Sequence, residues 1–532
     1  MKTVALIPAA GSSSRFRELG KHYAKTVLPF QGRPIIAHIV DRIVTAEPGI
    51  VKIFIVVNNL THRVQIEEAL ATSKFAHDGL CVVCDFNEDD IPIKRGPAKT
   101  ICAGIEHIKQ TYVDENVNVL VHLSDSLFSV LDIEDVIRAS GPSIGIQEVE
   151  DQHRWCVVSD NGFFNKPTTN IPGAKALSGL YKFDSNSIDL SRVTFGDTES
   201  QISDLLGSID EPISEINAPI ELDFGTLEEY IANRGITITR SFNEVIDMGN
   251  AVLKTTKTDS HPEFDEKLRR EIYWYCCSPS VLKPFQPAIY EHSDLNDTRH
   301  RTSVVMEKIK GVNLRDLALY LDRSRETWSE IFGLYISGVY RRSLRNSTSY
   351  RSNRFWSDIF KKTIDRSDMI LFSVERDVSL FLSRFQEFCQ TRDKLNNADW
   401  IHGDLHFANM FYDLHHRELK MIDPRGDLCG DLLYDLAKLN HSVNGNYDCI
   451  DNQLYYFDQN GEAKFFMTER AGIVGAFEKM LVDLGFEEKD RRELDLVTAS
   501  LFLSMIPLHS HNAVNQRLFY KEFERFFGMY LS

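Results

Sequence analysis

Residues 3–15 read TVALIPAAGSSSR, an apolar run that ends in a turn of small residues. The run is too short for a signal-peptide core followed by a cleavage site, and it predicts a buried β-strand. Gly11 lets the backbone turn tightly, and the N–H groups of the serines after it can form an anion-binding cradle before a helix. Such turns are common after strands, so a phosphate-binding role for this loop depends on the rest of the chain.

Apolar, β-branched runs alternate with helical patterns up to residue 235. In chain order the pairs are VALIP and PIIAHIVDRIV, IFIVV and RVQIEEALA, LCVVCDF and TICAGIEHI, and VNVLVHLSD and IEDVIRA. This alternation predicts a mainly parallel sheet, whose ligands bind at the carboxyl ends of the strands. Two later strands end on aspartates, Asp125 and Asp223, and Thr226 is placed to cap the helix after the second of them.

The pattern changes after residue 235. Antiparallel strands are predicted in TITRSFNEVIDMGNAVLKTT, followed by a charged helix in FDEKLRREIYWYC and another strand in TSVVMEKI. Beyond residue 314 the chain is mostly helical and rich in aromatic residues. Because 532 residues are too many for one hydrophobic core, we predict an N-terminal domain of residues 1–235 and a second domain of residues 236–532.

The composition, with 43% hydrophobic and 26% charged residues, is ordinary for a soluble globular protein. A net charge of −17 argues against a nucleic-acid binder, which needs a basic face. No apolar run approaches the roughly 20 residues that span a bilayer. Cys81 and Cys84 form a CxxC inside an apolar, strand-like run, which favours ordinary buried thiols over a redox or metal site. We expect a cytoplasmic protein, and the composition leaves its oligomeric state open.

The N-terminal domain resembles the sugar-nucleotide and phosphocholine-type nucleotidyltransferases. AAGSSSRF (9–16) is similar to the family's AAGxGxR signature, KTVLPFQGRPII (25–36) to its K-x-L-x-P-x-x-x-x-P-[IL] segment, and ELDFGTLEEYIAN (221–233) to its D-x-G-T-x-E-[DE] segment. The resemblance covers residues 1–235 and implies an α/β fold with a Rossmann-like, GT-A-like, mainly parallel sheet. Ser124 stands where many relatives have glycine and the loop is rich in serine, which leaves the base of the NTP open.

The same resemblance implies roles for particular residues. Lys25 and Arg15 would offset phosphate charge, and Asp125 and Asp223 would hold Mg²⁺ between the α-phosphate of an NTP and an incoming phosphomonoester. The residues that would hold the triphosphate are Ala10, Gly11, Ser12, Ser13 and Ser14. The residues that would contact or admit the sugar phosphate are Lys166, in FNKP, and Gly179, in ALSGLYKF.

WIHGDLHFANMFYD (400–413) and MIDPRG (421–426) resemble the catalytic and metal-binding segments of the aminoglycoside phosphotransferase and choline kinase family. The resemblance implies a two-lobed, protein-kinase-like α+β domain with an N-lobe (236–312) and a C-lobe (313–532). Asp404 would orient the substrate hydroxyl and accept its proton, and Asn409 and Asp423 would hold Mg²⁺ on the ATP phosphates. His402 is expected to brace this loop through hydrogen bonds.

The segments that this family carries before its catalytic segment are found in this chain in the same order. By the resemblance, Lys254 in NAVLKTT would reach the ATP phosphates, with Lys257 and Lys267 as rivals, and Glu271 in EKLRREIYW would pair with it or else lie on a solvated helix face. Glu307 lies in VVMEKIKG, which is similar to the segment that links the lobes and holds adenine.

The residues after Asp423 limit the choice of substrate. Choline-kinase-like relatives usually carry an acidic segment there, whereas this chain has Asp423-Pro424-Arg425-Gly426. Arg425 suits a neutral or anionic hydroxyl substrate better than a quaternary ammonium. Asp431 and Asp435 are open to substrate contact, to support of the residues that make such contacts, or to a charge role at a helix N-terminus.

Together the two resemblances predict a bifunctional enzyme. ATP would phosphorylate a sugar or polyol, and a second NTP, CTP or UTP by expectation, would then form an NDP- or CDP-activated precursor for capsule or lipopolysaccharide synthesis, with Mg²⁺ at both sites. One alternative is a choline kinase joined to a phosphocholine cytidylyltransferase, making CDP-choline. A second alternative is that one half is a non-catalytic regulatory module.

Overall fold

The computed structural model describes residues 1–11, 13–16, 19–75, 80–85, 96–113, 115–193, 202–234, 243–257, 261–296, 300–321, 324–333, 354–370, 378–395, 399–427, 429–467 and 470–532. The chain divides into two compact units. The first consists of Met1–Ile236 and Gln453–Phe466, and the second of Thr237–Asn452 and Met467–Ser532. The domain boundary that we predict between residues 235 and 236 lies outside the described residues.

The first unit is built around a nine-stranded sheet. Its strands and those of two small pairs beside it are, in chain order, β1 (Thr3–Pro8), β2 (Pro29–Phe30), β3 (Arg33–Pro34), β4 (Lys52–Val57), β5 (Cys81–Asp85), β6 (Asn118–His122), β7 (Ser126–Leu127), β8 (Ser143–Gln147), β9 (Cys156–Ser159), β10 (Gly162–Asn165), β11 (Lys175–Asp184), β12 (Ser214–Asn217) and β13 (Leu222–Asp223). The helices are α1 (Leu19–His22), α2 (Ile35–Ala46), α3 (Leu60–Leu70), α4 (Gly96–Thr111), α5 (Val130–Arg138), α6 (Ile202–Leu206) and α7 (Leu227–Asn233).

The central strands of this sheet are parallel, in the order β6-β1-β4-β5. Strand β11 pairs antiparallel with β6 and continues the sheet through β9 to β10, while β8 joins β11 to β12. The pairs β2–β3 and β7–β13 stand apart from the large sheet. The prediction of an α/β region with a mainly parallel central sheet is confirmed for this part of the chain.

The apolar run at the start of the chain forms an interior strand of the sheet. Val4 and Leu6 of β1 lie in the core with apolar residues of β4, β6 and α4. Gly104 lets α4 approach β1 closely, because a Cβ added there would lie 2.2 Å from the Leu6 side chain. Each large apolar side chain buried in this way contributes about 1.5–3 kcal/mol, so the strand is stabilised chiefly by its packing.

The second unit combines a small antiparallel sheet with a larger helical part. In chain order the strands of this unit are β14 (Asn243–Asp247), β15 (Ala251–Thr256), β16 (Ile289–His292), β17 (Ser303–Glu307), β18 (Val312–Asn313), β19 (Asp399–Trp400), β20 (Met410–Asp413), β21 (Glu418–Met421) and β22 (Cys429–Gly430). Strands β23 (Tyr455–Phe457) and β24 (Ala463–Phe465) come next in the chain but belong to the first unit. The remaining helices are α8 (Pro262–Cys277), α9 (Leu314–Tyr320), α10 (Arg325–Phe332), α11 (Phe355–Ser367), α12 (Ser379–Leu395), α13 (Leu432–Val443), α14 (Tyr447–Asp451), α15 (Arg470–Asp483), α16 (Glu488–Met505) and α17 (Ala513–Leu531).

The four-stranded sheet of this unit has the order β14-β15-β17-β16 and is antiparallel throughout. Helix α8 packs on it through Leu268 and Ile272, which form a core cluster with Val304 and Met306 of β17. This packing holds α8 beside β15, which brings Glu271 of the helix next to Lys254 of the strand. A second small sheet, β18-β20-β21, lies in the helical part.

The helical part buries a large aromatic core. Helix α13 and the second half of α16 are buried almost continuously. The aromatic residues of the C-terminal segment RLFYKEFERFFGMYL face this core, and Phe519, Phe523 and Phe526 are buried. Their helical spacing predicts a core role and not a cation-binding cage, and the structure agrees.

Two expectations from composition concern thiols and membranes. Cys81 of β5 is partly buried, and burial raises the pKa of its thiol to about 11, which makes it unreactive at neutral pH. The side chain of Cys84 lies outside the described residues. Within the described ranges, no helix has the length and apolarity needed to cross a bilayer.

Candidate active sites

The loop after β1 is shaped by contacts that differ from those we expected. Ser13 adopts a left-handed conformation with φ of 51°, whereas Gly11 does not. The carbonyl of Ser13 accepts a hydrogen bond from Phe16 N–H at 2.8 Å, and its hydroxyl accepts one from Lys25 N–H at 3.3 Å. Gly20 lies against this carbonyl, because a Cβ added there would be 2.1 Å from Ser13 O. The close approach therefore requires glycine at position 20.

The predicted triphosphate loop leaves room beside its backbone. No described atom lies within 4 Å of a Cβ added at Gly11, while Ala10 is buried at the end of the strand. Ser14 begins a short 3-10 turn, and the described part of the helix that follows, α1, spans Leu19–His22. Ser12 lies outside the described residues.

Lys25 and Asp125 meet at the carboxyl end of the parallel strands. Lys25 Nζ lies 2.6 Å from Asp125 Oδ2. Asp125 follows β6 and precedes β7, and its backbone carbonyl accepts a hydrogen bond from Phe224 N–H at 2.7 Å. Strand β7 pairs with β13 so that Ser126 lies opposite Asp223. This pairing brings two segments about a hundred residues apart into one place.

The carboxylates of Asp125 and Asp223 face a common point above Gly225. A Cβ added at Gly225 would lie 3.0 Å from Asp223 Oδ1 and 3.9 Å from Asp125 Oδ2. Gly225 N–H also donates to Asp223 Oδ1 at 2.7 Å. The next residue, Thr226, caps α7 through a reciprocal capping box with Glu229, as its position in the sequence predicts. Glycine at 225 leaves open the space that both carboxylates border.

The two carboxylates differ in their electrostatic surroundings. Burial opposes the ionisation of Asp125, but the Lys25 ammonium, with a smaller contribution from Arg15, holds the pKa of that carboxyl below its ordinary value. The pKa of Asp223 is raised, by burial and by the negative charges of Glu229 and Asp125. A cation placed between Asp125 and Asp223 would relieve this repulsion.

These residues fit a magnesium ion that is shared with a nucleotide. Mg²⁺ in nucleotide enzymes is usually held by one or two carboxylates together with phosphate oxygens and water. Among the described residues no group of three or more His, Cys, Asp and Glu side chains is arranged to hold a metal by itself. The paired carboxylates at Gly225 match the smaller protein share that a phosphate-bound Mg²⁺ requires.

Arg154 is a part of this site that the sequence did not reveal. Its Nη2 lies 3.8 Å from Asp223 Oδ2, and it also donates a hydrogen bond to Glu229. The residue lies in a turn before β9, in no motif, so only the fold brings it to Asp223.

The remaining predicted residues of the first unit are less closely connected. Arg15 is exposed and acts on Asp125 through its charge. Lys166 is exposed after β10 with φ of 44°, and its ammonium makes no hydrogen bond or ion pair with a described residue. Gly179 lies at an irregularity of β11 with φ of 113°, and a Cβ added there would lie 3.0 Å from the Leu123 side chain. The space that Gly179 spares is therefore filled by protein.

In the second unit, a buried lysine holds two acidic residues together. Lys254 Nζ lies 2.7 Å from Glu271 Oε2 and 2.7 Å from Asp423 Oδ1. The predicted pairing of Lys254 with Glu271 is present, whereas Lys257 and Lys267 are exposed. Burial raises the pKa of Glu271 to about 7, with a smaller contribution from the negative charge of Asp423, and the positive charge of Lys254 opposes both. One ammonium thus bridges β15, α8 and the MIDPRG segment.

Asp435 of helix α13 holds the backbone of the HGD segment, residues 402–404, in place. Asp435 is fully buried, and its two carboxylate oxygens accept hydrogen bonds from the backbone N–H groups of His402 and Gly403, both at 2.7 Å. His402 Nδ1 accepts from Asp404 N–H at 3.3 Å, so Nε2–H donates to Ile422 O at 2.9 Å. Burial lowers the pKa of His402 to about 4, so the ring is neutral and braces the loop, as we predicted.

Asp404 lies among groups that keep it ionised. Lys438 Nζ is 2.9 Å from its Oδ1, and His406 Nε2 is 3.6 Å from its Oδ2. Partial burial opposes its ionisation, but Lys438 and His406 hold the pKa of Asp404 well below the ordinary value. Asn409 donates to Asp404 O at 2.9 Å and to Oδ2 at 3.3 Å, which leaves the amide oxygen of Asn409 as the atom that could bind a metal ion.

Lys438 was not recognised from the sequence, which also leaves the roles of Asp431 and Asp435 open. Lys438 follows Asp435 by three residues, a spacing that places both on one helix face and is a usable signal. Asp431 caps the same helix by accepting from Leu433 N–H at 3.0 Å, which is the role at a helix N-terminus. Asp435 supports the backbone of His402 and Gly403, which is the supporting role.

Asn409 and Asp423 are held next to each other by the backbone. Ile422 N–H donates to Asn409 O at 3.0 Å, so Asn409 lies beside the residue that precedes Asp423. Asp423 has φ of 58°, a left-handed conformation that aspartate tolerates better than most residues, and its side chain is half exposed. The pair fits a phosphate-bound Mg²⁺ through one carboxylate and one amide oxygen.

Arg425 and Glu307 lie farther from the bridge that Lys254 makes. Arg425 Nε is 2.9 Å from Asp427 Oδ2, and the guanidinium lies 5.8 Å from the Tyr434 ring centre. Glu307 uses its N–H on Ala288 O at 2.8 Å, and its carboxylate accepts from Ala288 N–H and from Lys420. The backbone N–H of Glu307, in the segment expected to hold adenine, is thus already used in a hydrogen bond to Ala288, and the carboxylate joins β17 to Ala288 and Lys420.

Comparison with known proteins identifies part of the chain. Residues 5–171 match the family described as a MobA-like NTP transferase domain. The N-terminal part of the chain carries an NTP transferase domain. The match includes Lys25 and Asp125 but ends before Asp223, and no family match covers the C-terminal part.

Solved structures that are similar to the chain include two UDP-glucose pyrophosphorylases. One, complexed with UDP-glucose, is 20% identical, with 44% of this chain and 97% of that chain covered and a TM-score of 0.37. The other, from Acinetobacter baumannii, is 16% identical, with 44% and 92% covered and a TM-score of 0.36. None of the curated proteins matches the chain.

Proposed function

We propose that this chain is a bifunctional enzyme that makes a nucleotide-activated precursor in two steps. The second unit phosphorylates a hydroxyl group of a small sugar or polyol with ATP. The first unit joins the resulting phosphomonoester to the nucleoside monophosphate part of a second NTP, CTP or UTP, and releases pyrophosphate. The product class is that used in building capsule or lipopolysaccharide, an assignment that rests on analogy.

The nucleotidyl-transfer step is supported by the NTP transferase domain and by the meeting of Asp125 and Asp223 above Gly225. A phosphomonoester oxygen attacks the α-phosphorus while the bond to pyrophosphate breaks, and the two reactants repel each other. Mg²⁺ on the two carboxylates would reduce that repulsion. Lys25 and Arg15 add positive charge at the same end of the sheet, where they bind and orient the phosphates.

One observation carries the kinase step: Lys254 Nζ lies 2.7 Å from both Glu271 and Asp423, in the unit that also holds Asp404 beside Asn409. Glu271 fixes the lysine where it can bind the phosphates of ATP. Mg²⁺ on Asp423 and Asn409 would neutralise charge on those phosphates.

Asp404 has the position and charge state for its part in phosphoryl transfer. It is ionised at neutral pH, accepts a hydrogen bond from the substrate hydroxyl and so points that oxygen at the γ-phosphorus. Its low pKa makes it a weak base, so it takes the proton only as the new P–O bond forms. Positioning and charge neutralisation, which need no strong base, are the main sources of rate in this reaction class.

A product screen tests both steps with the full chain. Sugars, polyols and amino alcohols are each incubated with ATP, Mg²⁺ and one of CTP, UTP, GTP and dTTP, and ADP, pyrophosphate and the coupled product are measured separately. We expect ADP from at least one sugar or polyol, and pyrophosphate only when ATP and the correct second NTP are both present.

The same screen distinguishes the alternatives. Turnover of choline but of no sugar or polyol would establish the CDP-choline reaction instead. If no acceptor gives ADP while supplied phosphomonoesters still release pyrophosphate, the second unit is not a kinase. If ADP forms but no NTP and phosphomonoester pair releases pyrophosphate, the first unit is the non-catalytic one.

A further inference from the structure

A small cavity in the second unit opens next to Asp404. It lies between helices α11, α13 and α16 and has a volume of about 20 Å³, which is room for the centre of about one water-sized group. Its polar lining comes from Lys362, Thr363, Arg366, Tyr434, Lys438, Ser500 and Ser504. Lys438 is the residue whose ammonium lies 2.9 Å from Asp404 Oδ1, so the cavity reaches the group expected to orient the acceptor hydroxyl.

The cavity has more positive than negative charge. Lys362 and Arg366 line it from α11 and Lys438 from α13, and Arg425 is close enough to act on Lys362 through its charge. The carboxylate that acts on Lys362 is Asp404, which Lys438 already neutralises.

Lys362 is the clearest sign that a group of opposite charge belongs here. Its side chain is half-buried, and its ammonium makes no hydrogen bond or ion pair with a described residue. Burial, and then the charges of Arg425, Arg366 and Lys438, lower the pKa of Lys362 well below its usual value. A bound anion would favour the protonated form of Lys362 and so oppose this lowering of its pKa.

We propose that this cavity binds an oxyanion group, a carboxylate or a phosphate, on the same molecule whose hydroxyl is phosphorylated. The proposal rests on the kinase reaction proposed above and narrows its acceptor from any sugar or polyol to one that carries a negative charge. The acceptor's anionic end lies against Lys362 and Arg366, and its hydroxyl reaches Asp404 past Lys438.

The chemistry of the step is unchanged by this choice of acceptor. The hydroxyl oxygen of the acceptor forms a bond to the γ-phosphorus of ATP, the bond between that phosphorus and ADP breaks, and the hydroxyl proton passes to Asp404. The product is a phosphomonoester that also keeps its original carboxylate or phosphate. A quaternary ammonium such as choline would meet the same cations and be repelled.

The test uses the reactivity of Lys362, with Lys361 as an internal control. Lys361 precedes it on α11 and is exposed, so an amine-acylating reagent labels both, and mass spectrometry of the full chain's peptides gives each rate separately. Inorganic phosphate, acetate and choline chloride are added at equal ionic strength. We expect phosphate or acetate to slow the labelling of Lys362 at least fivefold, to change that of Lys361 less than twofold, and choline to protect neither.

The pattern of protection shows which anionic group the acceptor carries. Protection by phosphate alone assigns a phosphate-bearing acceptor, and protection by acetate alone or by both assigns a carboxylate. No selective protection of Lys362, or protection by choline, overturns the proposal. Labelling needs no phosphoryl transfer, so failure of an acceptor screen extended to sugar acids and sugar phosphates would refute the kinase reaction without deciding the anion site.

A pair of variants links the cavity to catalysis once an acceptor is known. Lys362→Met removes a cation without an ion-pair partner among the described residues, so the unit should fold as well as before. We expect it to raise the KM for the anionic acceptor about 10- to 100-fold, the worth of a lost charge-assisted contact, with kcat changed less than threefold. Lys361→Met should change neither, and an unchanged KM in Lys362→Met would contradict the site.

Discussion

Replacing Asp435 should loosen the HGD loop by an amount that the structure allows us to calculate. Its two oxygens accept the N–H groups of His402 and Gly403 at 2.7 Å each, in a fully buried position. A hydrogen bond to a charged group contributes about 1.5–3 kcal/mol, so Asp435→Ala should lower the free energy of unfolding of the second unit by about 3–6 kcal/mol. Asp435→Asn keeps one acceptor and should lose about half as much.

Denaturant unfolding followed by tryptophan fluorescence measures this loss. Four of the five tryptophans lie in the second unit, so the signal follows that unit even though the whole chain need not unfold in one step. ADP formation should fall at least tenfold in both variants, because the loop that carries Asp404 loses its support. Asp365→Asn, at an exposed position of α11, is the control and should change stability by less than about 0.5 kcal/mol. A loss below about 1 kcal/mol in Asp435→Ala would refute the reasoning.

Two further predictions concern the second unit. Burial raises the pKa of Asp448 to about 6, above the value near 3.9 of an unfolded chain, so its stabilising contribution is complete at pH 3–4 and is lost as the pH rises through 6. Asp448→Asn should therefore stabilise the unit by up to about 3 kcal/mol at pH 8 but by only about 1 kcal/mol at pH 4.5, and equal melting-temperature shifts at both pH values would exclude this cause. Gly403→Ala should reduce ADP formation at least tenfold, because Gly403 has φ of 78° and a Cβ there would lie 2.7 Å from Arg425 Cβ. Gly528→Ala, in open space on α17, should be neutral or stabilising by up to about 1 kcal/mol, and an equal loss of activity in both glycine variants would show that the strain is not local.

Local patterns made several features predictable. The apolar run before Gly11 predicts β1 because a strand buried on both faces needs no polar alternation. Thr226 predicts the cap of α7 because the capping box lies within four residues of sequence. The pairing of Lys254 with Glu271 is implied by the resemblance to the phosphotransferase family, and the structure places their side chains 2.7 Å apart.

Features that depend on distant contacts could not be predicted in the same way. Ser13 takes a left-handed conformation and its carbonyl lies against Gly20, a contact that no local pattern encodes. Arg154 reaches Asp223 from a turn without a motif. Nothing in the local sequence distinguishes Lys362 from the other polar residues of an amphipathic helix. Its charge indicates an anion site only because the fold packs α11, α13 and α16 around the cavity.

The central claim is that one chain holds two separate magnesium-dependent sites, and a pair of variants tests it most directly. Asp404→Asn and Asp125→Ala are each assayed for ADP formation from the acceptor and for pyrophosphate release from a supplied phosphomonoester and NTP. The account predicts that Asp404→Asn loses only ADP formation, that Asp125→Ala loses only pyrophosphate release, and that mixing the two restores the coupled product. Loss of both reactions in either variant, with its fold intact, would contradict it.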